Sequence, residues 1–192
     1  VPDFFANFNN TFRYKNFDLS VFINGSYGNK VYNYLSMKLT HMNSPWTNQL
    51  NAVNGRAQLV PINPNKVYED GTMWYNDVSN VMVANPGASI PRATINDPND
   101  NDRISDRYIE DGSYIRLKNI SLGYTFPKKT IDKLGLSNLR IYANIQNLLT
   151  ITGYDGYDPE IGASTSSVNV YGLDNGRYPS PTVYSFGLNV SF

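Results

Sequence analysis

Residues 182–192 read TVYSFGLNVSF, and large apolar side chains occupy every second position of this stretch. These side chains are Tyr184, Phe186, Leu188, Val190 and Phe192. The residues between them are small or polar except for Val183, and the stretch carries no charge. Because successive side chains of a β-strand point to opposite faces of a sheet, the alternation predicts a strand with one apolar face.

The same alternation occurs in four earlier stretches, which we predict to be strands over residues 5–14, 17–27, 114–126 and 138–149. Within the third of them, Ile115 and Leu117 are out of phase with the apolar positions that follow. This shift indicates either a β-bulge near Lys118 or an apolar face that begins only there. The chain is therefore predicted to be all-β and antiparallel.

The predicted strands are joined by connections of alternating length, short at 15–16 and 127–137 and long at 28–113 and 150–180. Residues 127–137 are predicted to form one helical turn that ends at Gly135. Outer-membrane barrels have short periplasmic turns and long extracellular loops. The alternation thus predicts a transmembrane antiparallel β-barrel segment whose two long loops lie outside. The alternative is that the apolar positions form the core face of a soluble β-sandwich.

Composition excludes several classes of function. The 192 residues include 16 Lys+Arg and 16 Asp+Glu, and this net charge of +0 argues against a nucleic-acid partner. The absence of cysteine excludes disulfides, thiol nucleophiles and cysteine-based zinc sites. A single histidine, His41, argues against a histidine metal centre. No run approaches the ~18 apolar residues that a membrane-spanning helix needs.

The sequence contains no pattern typical of catalysis. Glu110 and Asp111 are adjacent, so on a strand they point to opposite faces and cannot act on one bond. Residues 97–102 place oxygen ligands at alternate positions but lack the glycine and glutamate of a calcium loop, which favours a turn stabilised by Asx side chains. The carboxylates of Asp155, Asp158 and Glu160 could also bind a cation, but a surface loop is the simpler interpretation. We therefore expect no enzyme activity, no cofactor and no metal.

Several stretches together carry a family resemblance. They are SDRYIEDGSYIRLKNISLGYTFP at 105–127, NLRIY at 138–142, QNLLT at 146–150, GYDPE at 156–160 and YSFGLNVSF at 184–192. They resemble the C-terminal region of the SusC/RagA-like TonB-dependent transporters of Bacteroidota, and the resemblance covers essentially the whole chain. Transporters of this kind are barrels of about 22 strands around a plug. The resemblance implies that this chain supplies about the last five strands and that the plug domain is absent from it.

The resemblance also implies a function and partners. It implies TonB-dependent import of a bulky nutrient, a glycan or an oligopeptide, across the bacterial outer membrane. The implied partners are a SusD-like surface lipoprotein acting as a lid, and TonB-ExbB-ExbD contacted through missing N-terminal parts. Further implied partners are the remaining barrel and plug of the same transporter, together with lipid and lipopolysaccharide. The alternative function is that of a secreted or surface β-sandwich module that binds glycans.

Two groups of residues are candidates for function. The long loop 28–113 contains four aromatic side chains that we expect to contact substrate or lid, namely Trp46, Trp74, Tyr68 and Tyr75. The alternative is that they pin the loop to the rim of the barrel. The apolar residues Tyr184, Phe186, Leu188, Val190 and Phe192 resemble the insertion signal read by the barrel assembly machinery.

Overall fold

The computed structural model describes residues 1–161 and 171–192. In chain order, the elements of this described part are β1 (Phe4–Tyr14), β2 (Phe17–Tyr27), β3 (Lys30–Asn33), α1 (Tyr34–Thr40), β4 (Leu59–Pro61), β5 (Val81–Val83), β6 (Ile109–Asp111), β7 (Tyr114–Thr125), α2 (Lys128–Ile131), β8 (Asn138–Thr152), β9 (Leu173–Asp174) and β10 (Val183–Ser191). Short 3₁₀ turns occur at Asn51–Gly55, Trp74–Asn76, Val78–Asn80, Asp106–Tyr108 and Asp132–Leu134. Among these residues, every helix is too short or too polar to cross a membrane.

The five long strands form one antiparallel sheet in the order β1-β2-β7-β8-β10. They correspond to the five stretches of alternating apolar residues. The register aligns the apolar positions across all five strands, as in the row Phe12, Leu19, Leu122, Ala143 and Phe186. Because side chains alternate between faces, this alignment makes one face of the sheet predominantly apolar and the other predominantly polar.

The apolar face of this sheet is uncovered. Phe12, Leu188 and Phe186 are 55%, 61% and 83% exposed. In a soluble sandwich these side chains would pack against a second sheet. The other sheets in residues 1–161 and 171–192 have only three and two short strands, and they leave this face open. The sheet is therefore not one layer of a β-sandwich.

On the polar face, long side chains lie flat over glycines. Arg140 on β8 donates from Nη2 to Asp18 Oδ2 on β2 at 2.6 Å, and β7 lies between those two strands. A Cβ atom at Gly123 of β7 would overlap this guanidinium, and one at Gly187 of β10 would overlap the ring of Tyr142. Glycine at these two positions thus gives the ion pair and the ring room to lie against the sheet.

A bulge interrupts the sheet at Lys118. The β2–β7 register shifts between Phe22 and Ile23, and the β7–β8 register shifts between Leu117 and Asn119. Lys118 is the extra residue of β7 relative to β2. Of the two explanations for the phase change in this strand, the bulge is the one observed.

The long connection predicted at 28–113 contains regular structure. Strand β3 pairs antiparallel with β6 and parallel with β9, which makes a three-stranded sheet within the compact unit of Val1–Asn33 and Ile109–Phe192. Residues Tyr34–Tyr108 form a second compact unit with α1 and the β4–β5 pair. Strands of two to four residues are too short to show a two-residue period, so the sequence does not reveal them.

Candidate functional site

A buried arginine fastens the connection after β8 to the polar face of the sheet. Arg116 lies on β7, and its side chain is 3% exposed. Its guanidinium donates to Asp158 Oδ1 at 2.5 Å, to Glu160 Oε2 at 2.7 Å and to Thr150 Oγ1 at 2.8 Å. All three guanidinium nitrogens therefore have a partner, which is the condition under which a buried charge is tolerated.

The two carboxylates that Arg116 binds have further partners. Lys118 Nζ donates to both oxygens of Glu160, at 2.7 and 2.8 Å. The backbone N–H of Ser180 donates to Asp158 Oδ2 at 3.0 Å, and that of Glu160 donates to Asp158 Oδ1 at 2.9 Å. Two separate parts of the connection, around Asp158 and around Ser180, are thereby tied to one strand.

The stability of the Arg116 cluster, which consists of Arg116, Lys118, Asp158 and Glu160, depends on pH through the pKa of Asp158. Burial raises the pKa of the carboxyl, but the hydrogen bonds from Ser180 and Arg116 outweigh burial and hold the pKa below its ordinary value of 3.8. A carboxylate whose pKa is lowered in the folded state stabilises the fold above the unfolded-state pKa. The stabilisation is lost as the pH falls through the lowered folded-state value.

We therefore expect residues 153–161 to be protected from amide hydrogen exchange at about pH 6 and to open as the pH falls below the ordinary carboxyl pKa of 3.8. Exchange measured on the complete protein at about pH 6 and about pH 2.5, corrected for the intrinsic rate, checks this. The Asp158→Asn variant should already be more open at the higher pH and should show little further change. Equal protection of the unmodified protein at both values would contradict the role of Asp158.

A second buried carboxylate holds the next part of the same connection. Asp174 is 2% exposed. Its Oδ2 accepts a hydrogen bond from the hydroxyl of Tyr154 at 2.6 Å, and its Oδ1 accepts from the backbone N–H of Gly176 at 2.9 Å and of Arg177 at 3.3 Å. Burial, together with the hydrogen bond to Asp174, raises the pKa of Tyr154. The turn that carries Arg177 is thus fixed by buried hydrogen bonds.

Three of the four predicted aromatic contact residues lie in one stretch of the Tyr34–Tyr108 unit. The hydroxyl of Tyr68 donates to Asp77 Oδ2 and accepts from Asn80 Nδ2, both at 2.9 Å. The rings of Trp74 and Tyr75 meet edge to face with centroids 5.7 Å apart. The hydroxyl of Tyr68 is therefore engaged in holding its own loop, whereas Tyr75, at 43% exposure, presents a free surface.

Trp46, the fourth predicted contact residue, is not part of this aromatic stretch. Its side chain is 92% exposed. Its backbone N–H donates to Ser44 Oγ at 3.3 Å. Exposure of a large apolar indole ring to water is unfavourable. In folded proteins such side chains commonly contact a ligand or a partner.

The side chains that resemble the insertion signal lie on the apolar face of the sheet or directly after the strand. Tyr184, Phe186, Leu188 and Val190 are exposed on β10, which is an edge strand of the described sheet. Phe192 follows the strand and is 93% exposed.

The turn at residues 97–102 is built on Asp97. The carboxylate accepts from the backbone N–H and the side-chain amide of Asn101, both at 2.6 Å, and lies 3.0 Å from His41 Nε2. His41, Asp97 and Asp102 bring possible ligand atoms within 4.8 Å of one another. Because both oxygens of Asp97 already accept hydrogen bonds, we assign these residues to the stability of the turn.

Sequence reasoning missed Arg116, Tyr154 and Asp174, and it placed Asp158 on an exposed loop. The structure corrects the last point, since Asp158 is 7% exposed and its cation is the guanidinium of Arg116. The available signal was a charged residue, Arg116, at a polar-face position of a strand. A buried charge at such a position requires a partner of opposite charge.

Solved structures resemble the whole chain. The RagAB peptide transporter superposes with a TM-score of 0.69 at 20% identity, covering 100% of this chain and 17% of that one. The RagAB peptide importer in the "closed-closed" state gives a TM-score of 0.67 at 20% identity with the same coverage. No family model matches the chain. The fold is therefore that of the wall of a transporter barrel.

Curated relatives decide the family. The TonB-dependent receptor P3 of Formosa agariphila is 36% identical over 197 residues, covering 100% of this chain and 16% of the receptor. The TonB-dependent receptor SusC of Bacteroides thetaiotaomicron is 36% identical over 93 residues, covering 47% of this chain and 8% of SusC. This chain belongs to the SusC/RagA-like TonB-dependent receptors. It spans about a sixth of the length of the full-coverage relative.

Receptors of this family lie in the outer membrane, and that location explains the two faces of the sheet. In a transmembrane barrel the lipid-facing side chains are apolar and alternate with polar side chains that face the lumen. The uncovered face with Phe186 and Leu188 is the lipid face, and the face with Arg116, Arg140 and Asp18 is the lumen face. The Arg116 cluster therefore holds the connection after β8 against the lumen side of the wall.

Proposed function

We propose that the receptor to which this chain belongs imports a bulky nutrient, a glycan or an oligopeptide, across the outer membrane with energy delivered through TonB. The observation that carries the proposal is 36% identity over the whole chain to a TonB-dependent receptor. An oligopeptide is supported by the fold, because the structures that resemble it are named a peptide importer. A glycan is supported by aromatic side chains suited to stacking on sugar rings, such as Trp46.

The proposal includes a direction for the chain in the membrane. The turns at 15–16 and 127–137 face the periplasm, and the connections 28–113 and 150–180 face the outside, because barrels of this kind have short periplasmic turns. Residues 162–170 of the second connection lie outside the described residues. In this orientation the Tyr34–Tyr108 unit is available to a SusD-like surface lipoprotein that closes the barrel as a lid.

The proposal also includes the remaining partners. The polar face, with Asn144 and Gln146, supports hydrogen bonding to a plug supplied by the rest of the receptor. The exposed apolar side chains of β10 support recognition of this strand by the barrel assembly machinery. Lipid and lipopolysaccharide cover the apolar face.

The experiment that tests the import function is uptake by cells with and without the complete receptor. We expect deletion of the receptor to abolish uptake of a labelled nutrient from either a peptide pool or a glycan pool, and an uncoupler of the proton-motive force to abolish it as well. The pool that responds identifies the substrate class. Uptake of both pools at the unmodified rate in the deletion strain would overturn the proposal.

Trp46→Ala tests the aromatic contact. If the exposed indole binds substrate or lid, its truncation should weaken binding by about tenfold or more, as expected for an interface hot spot. The measurement is uptake at low substrate concentration together with lipoprotein pull-down, at equal outer-membrane levels. Trp46→Phe should retain most of the binding, and Leu134→Ala, at an exposed position in the 127–137 turn, serves as the control. Unchanged uptake and pull-down in Trp46→Ala would show that the residue has no such role.

A further inference from the structure

A large cleft lies on the polar face of the sheet, within the unit of Val1–Asn33 and Ile109–Phe192. Its volume is about 790 Å³, inside the range of about 300–1,000 Å³ that is usual for small-ligand sites. Phe5 of β1 and Tyr114 of β7 line the sheet side, and Glu160, Tyr171 and Arg177 line the opposite side. The cleft thus combines aromatic surface with a few charged groups.

The charged side chains that line the cleft are paired, except for one. Lys118 forms an ion pair with Glu160 at 2.7 Å, and Lys30 forms one with Asp111 at 3.3 Å. Within residues 1–161 and 171–192, the guanidinium of Arg177 has neither a hydrogen-bond nor an ion-pair partner. The cleft therefore presents one free guanidinium, which is a group with a strong preference for carboxylate and phosphate oxygens.

The backbone that carries this guanidinium is fixed before any ligand arrives. Asp174, which is 2% exposed, accepts the N–H groups of Gly176 and Arg177. Gly176 has a φ of +77°, a left-handed conformation that glycine adopts without strain. A ligand that binds Arg177 therefore does not have to order the turn, and the entropic cost of binding falls on the side chain alone.

We propose that this cleft binds a carboxylate group of the imported oligomer, with Arg177 as its anchor and Tyr114 and Tyr171 as aromatic walls. The proposal rests on the import function and names the chemistry of its substrate. A guanidinium binds a carboxylate through two parallel N–H···O hydrogen bonds, and tyrosine rings pack on either a peptide or a sugar ring. The carboxylate can belong to an acidic peptide or to a uronate oligosaccharide, since both present the same group.

The test is calorimetric binding to the complete purified receptor. The probes are a glutamate tripeptide and a galacturonate trimer, with an alanine tripeptide and a neutral glucose trimer as uncharged counterparts. We expect one of the acidic probes to bind at least about tenfold more tightly than its neutral counterpart, because hydrogen bonds to charged groups are the stronger ones. The acidic probe that binds identifies the source of the carboxylate.

Three variants locate the preference. Arg177→Gln should remove the tenfold preference, and Arg177→Lys should retain part of it because the charge remains. Lys133→Gln removes one positive charge from the 127–137 turn and should leave binding unchanged. If acidic and neutral probes bind the unmodified receptor equally, or if Arg177→Gln keeps the preference, the carboxylate subsite is wrong.

Cell uptake separates this outcome from failure of the import function. Cells with Arg177→Gln receptor that take up nutrient at the unmodified rate, with no acidic preference in either protein, would overturn the subsite and leave import standing. If cells that lack the receptor take up the nutrient as fast as cells that contain it, the import function itself is wrong.

Discussion

Replacing Arg116 by methionine is expected to release the connection after β8 from the barrel wall, at a cost of about 3–5 kcal/mol. Arg116 and Asp158 have side chains only 3% and 7% exposed, so the substitution leaves Asp158 buried without its cation. Methionine fills most of the volume but supplies no hydrogen bond to Asp158, Glu160 or Thr150. The penalty comes mainly from the carboxylate that is left unpaired and less from the attraction that is lost.

Hydrogen exchange on the complete receptor measures this effect where it occurs. Protection of residues 153–161 should fall by about a hundredfold or more in Arg116→Met, since each 1.4 kcal/mol corresponds to about a factor of ten. Arg103→Met is the matched control, because Arg103 is exposed and its substitution leaves no buried carboxylate.

A double variant distinguishes the buried charge from simple loss of packing. Arg116→Met combined with Asp158→Leu removes both members of the pair and should recover part of the protection, as replacement of a whole buried pair by apolar residues is often tolerated. If Arg116→Met alone leaves the protection of residues 153–161 intact, the cluster does not hold the connection.

The strands and turns could be predicted because their determinants lie within a few neighbouring residues. The alternation in residues 182–192 decides which side chains share the apolar face of the strand, without reference to any other part of the chain. In the connection 127–137, an α-helical turn at Lys128–Ile131 and a 3₁₀ turn at Asp132–Leu134 replace the single helical turn predicted, and they end at Gly135, with a φ of +68°, as predicted from the glycine. The turn between β1 and β2 places Lys15 at a φ of +52°, within a two-residue connection that leaves little choice of geometry.

The fastening of the connection after β8 could not be predicted, because its contacts join residues far apart in the chain. Arg116 and Asp158 are 42 residues apart, and Tyr154 and Asp174 are 20 apart. No periodic pattern in the sequence links residues this far apart. The conformation of the irregular backbone between them is fixed by the buried hydrogen bonds that it forms. The same limit applies to residues 34–108, where β4 and β5 have three residues each.

The aromatic residues show how far a candidate site can be inferred from composition. Trp74 and Tyr75 are adjacent in sequence and their rings are in contact in the structure. Tyr68 nevertheless supports its own loop through Asp77, a role that its side chain alone does not reveal. Trp46 is exposed and does not belong to that stretch of sequence. Composition alone therefore does not group the four aromatic residues into one site.

Ile120→Arg is expected to destabilise the barrel by about 2–4 kcal/mol, the cost of arginine on the lipid face near the middle of a membrane. Ile120 is the central one of the outward-facing side chains of β7, and it lies between Val21 of β2 and Ile145 of β8. A guanidinium there has no water and no carboxylate within reach among its apolar neighbours. We therefore expect a lower level of folded receptor in the outer membrane and a lower free energy of unfolding in liposomes.

Ser121→Arg provides the matched control, because Ser121 is the next residue of the same strand and points to the other face. It lies between Ser20 and Asn144, on the side that carries the Asp18–Arg140 ion pair. An added arginine there meets polar groups and water in the lumen, so the free energy of unfolding should change by less than that of Ile120→Arg. Equal losses would mean that both faces are packed against protein, and a larger loss for Ser121→Arg would reverse the two faces. The pair of variants thus tests the assignment of lipid and lumen on which the import function and the carboxylate cleft both depend.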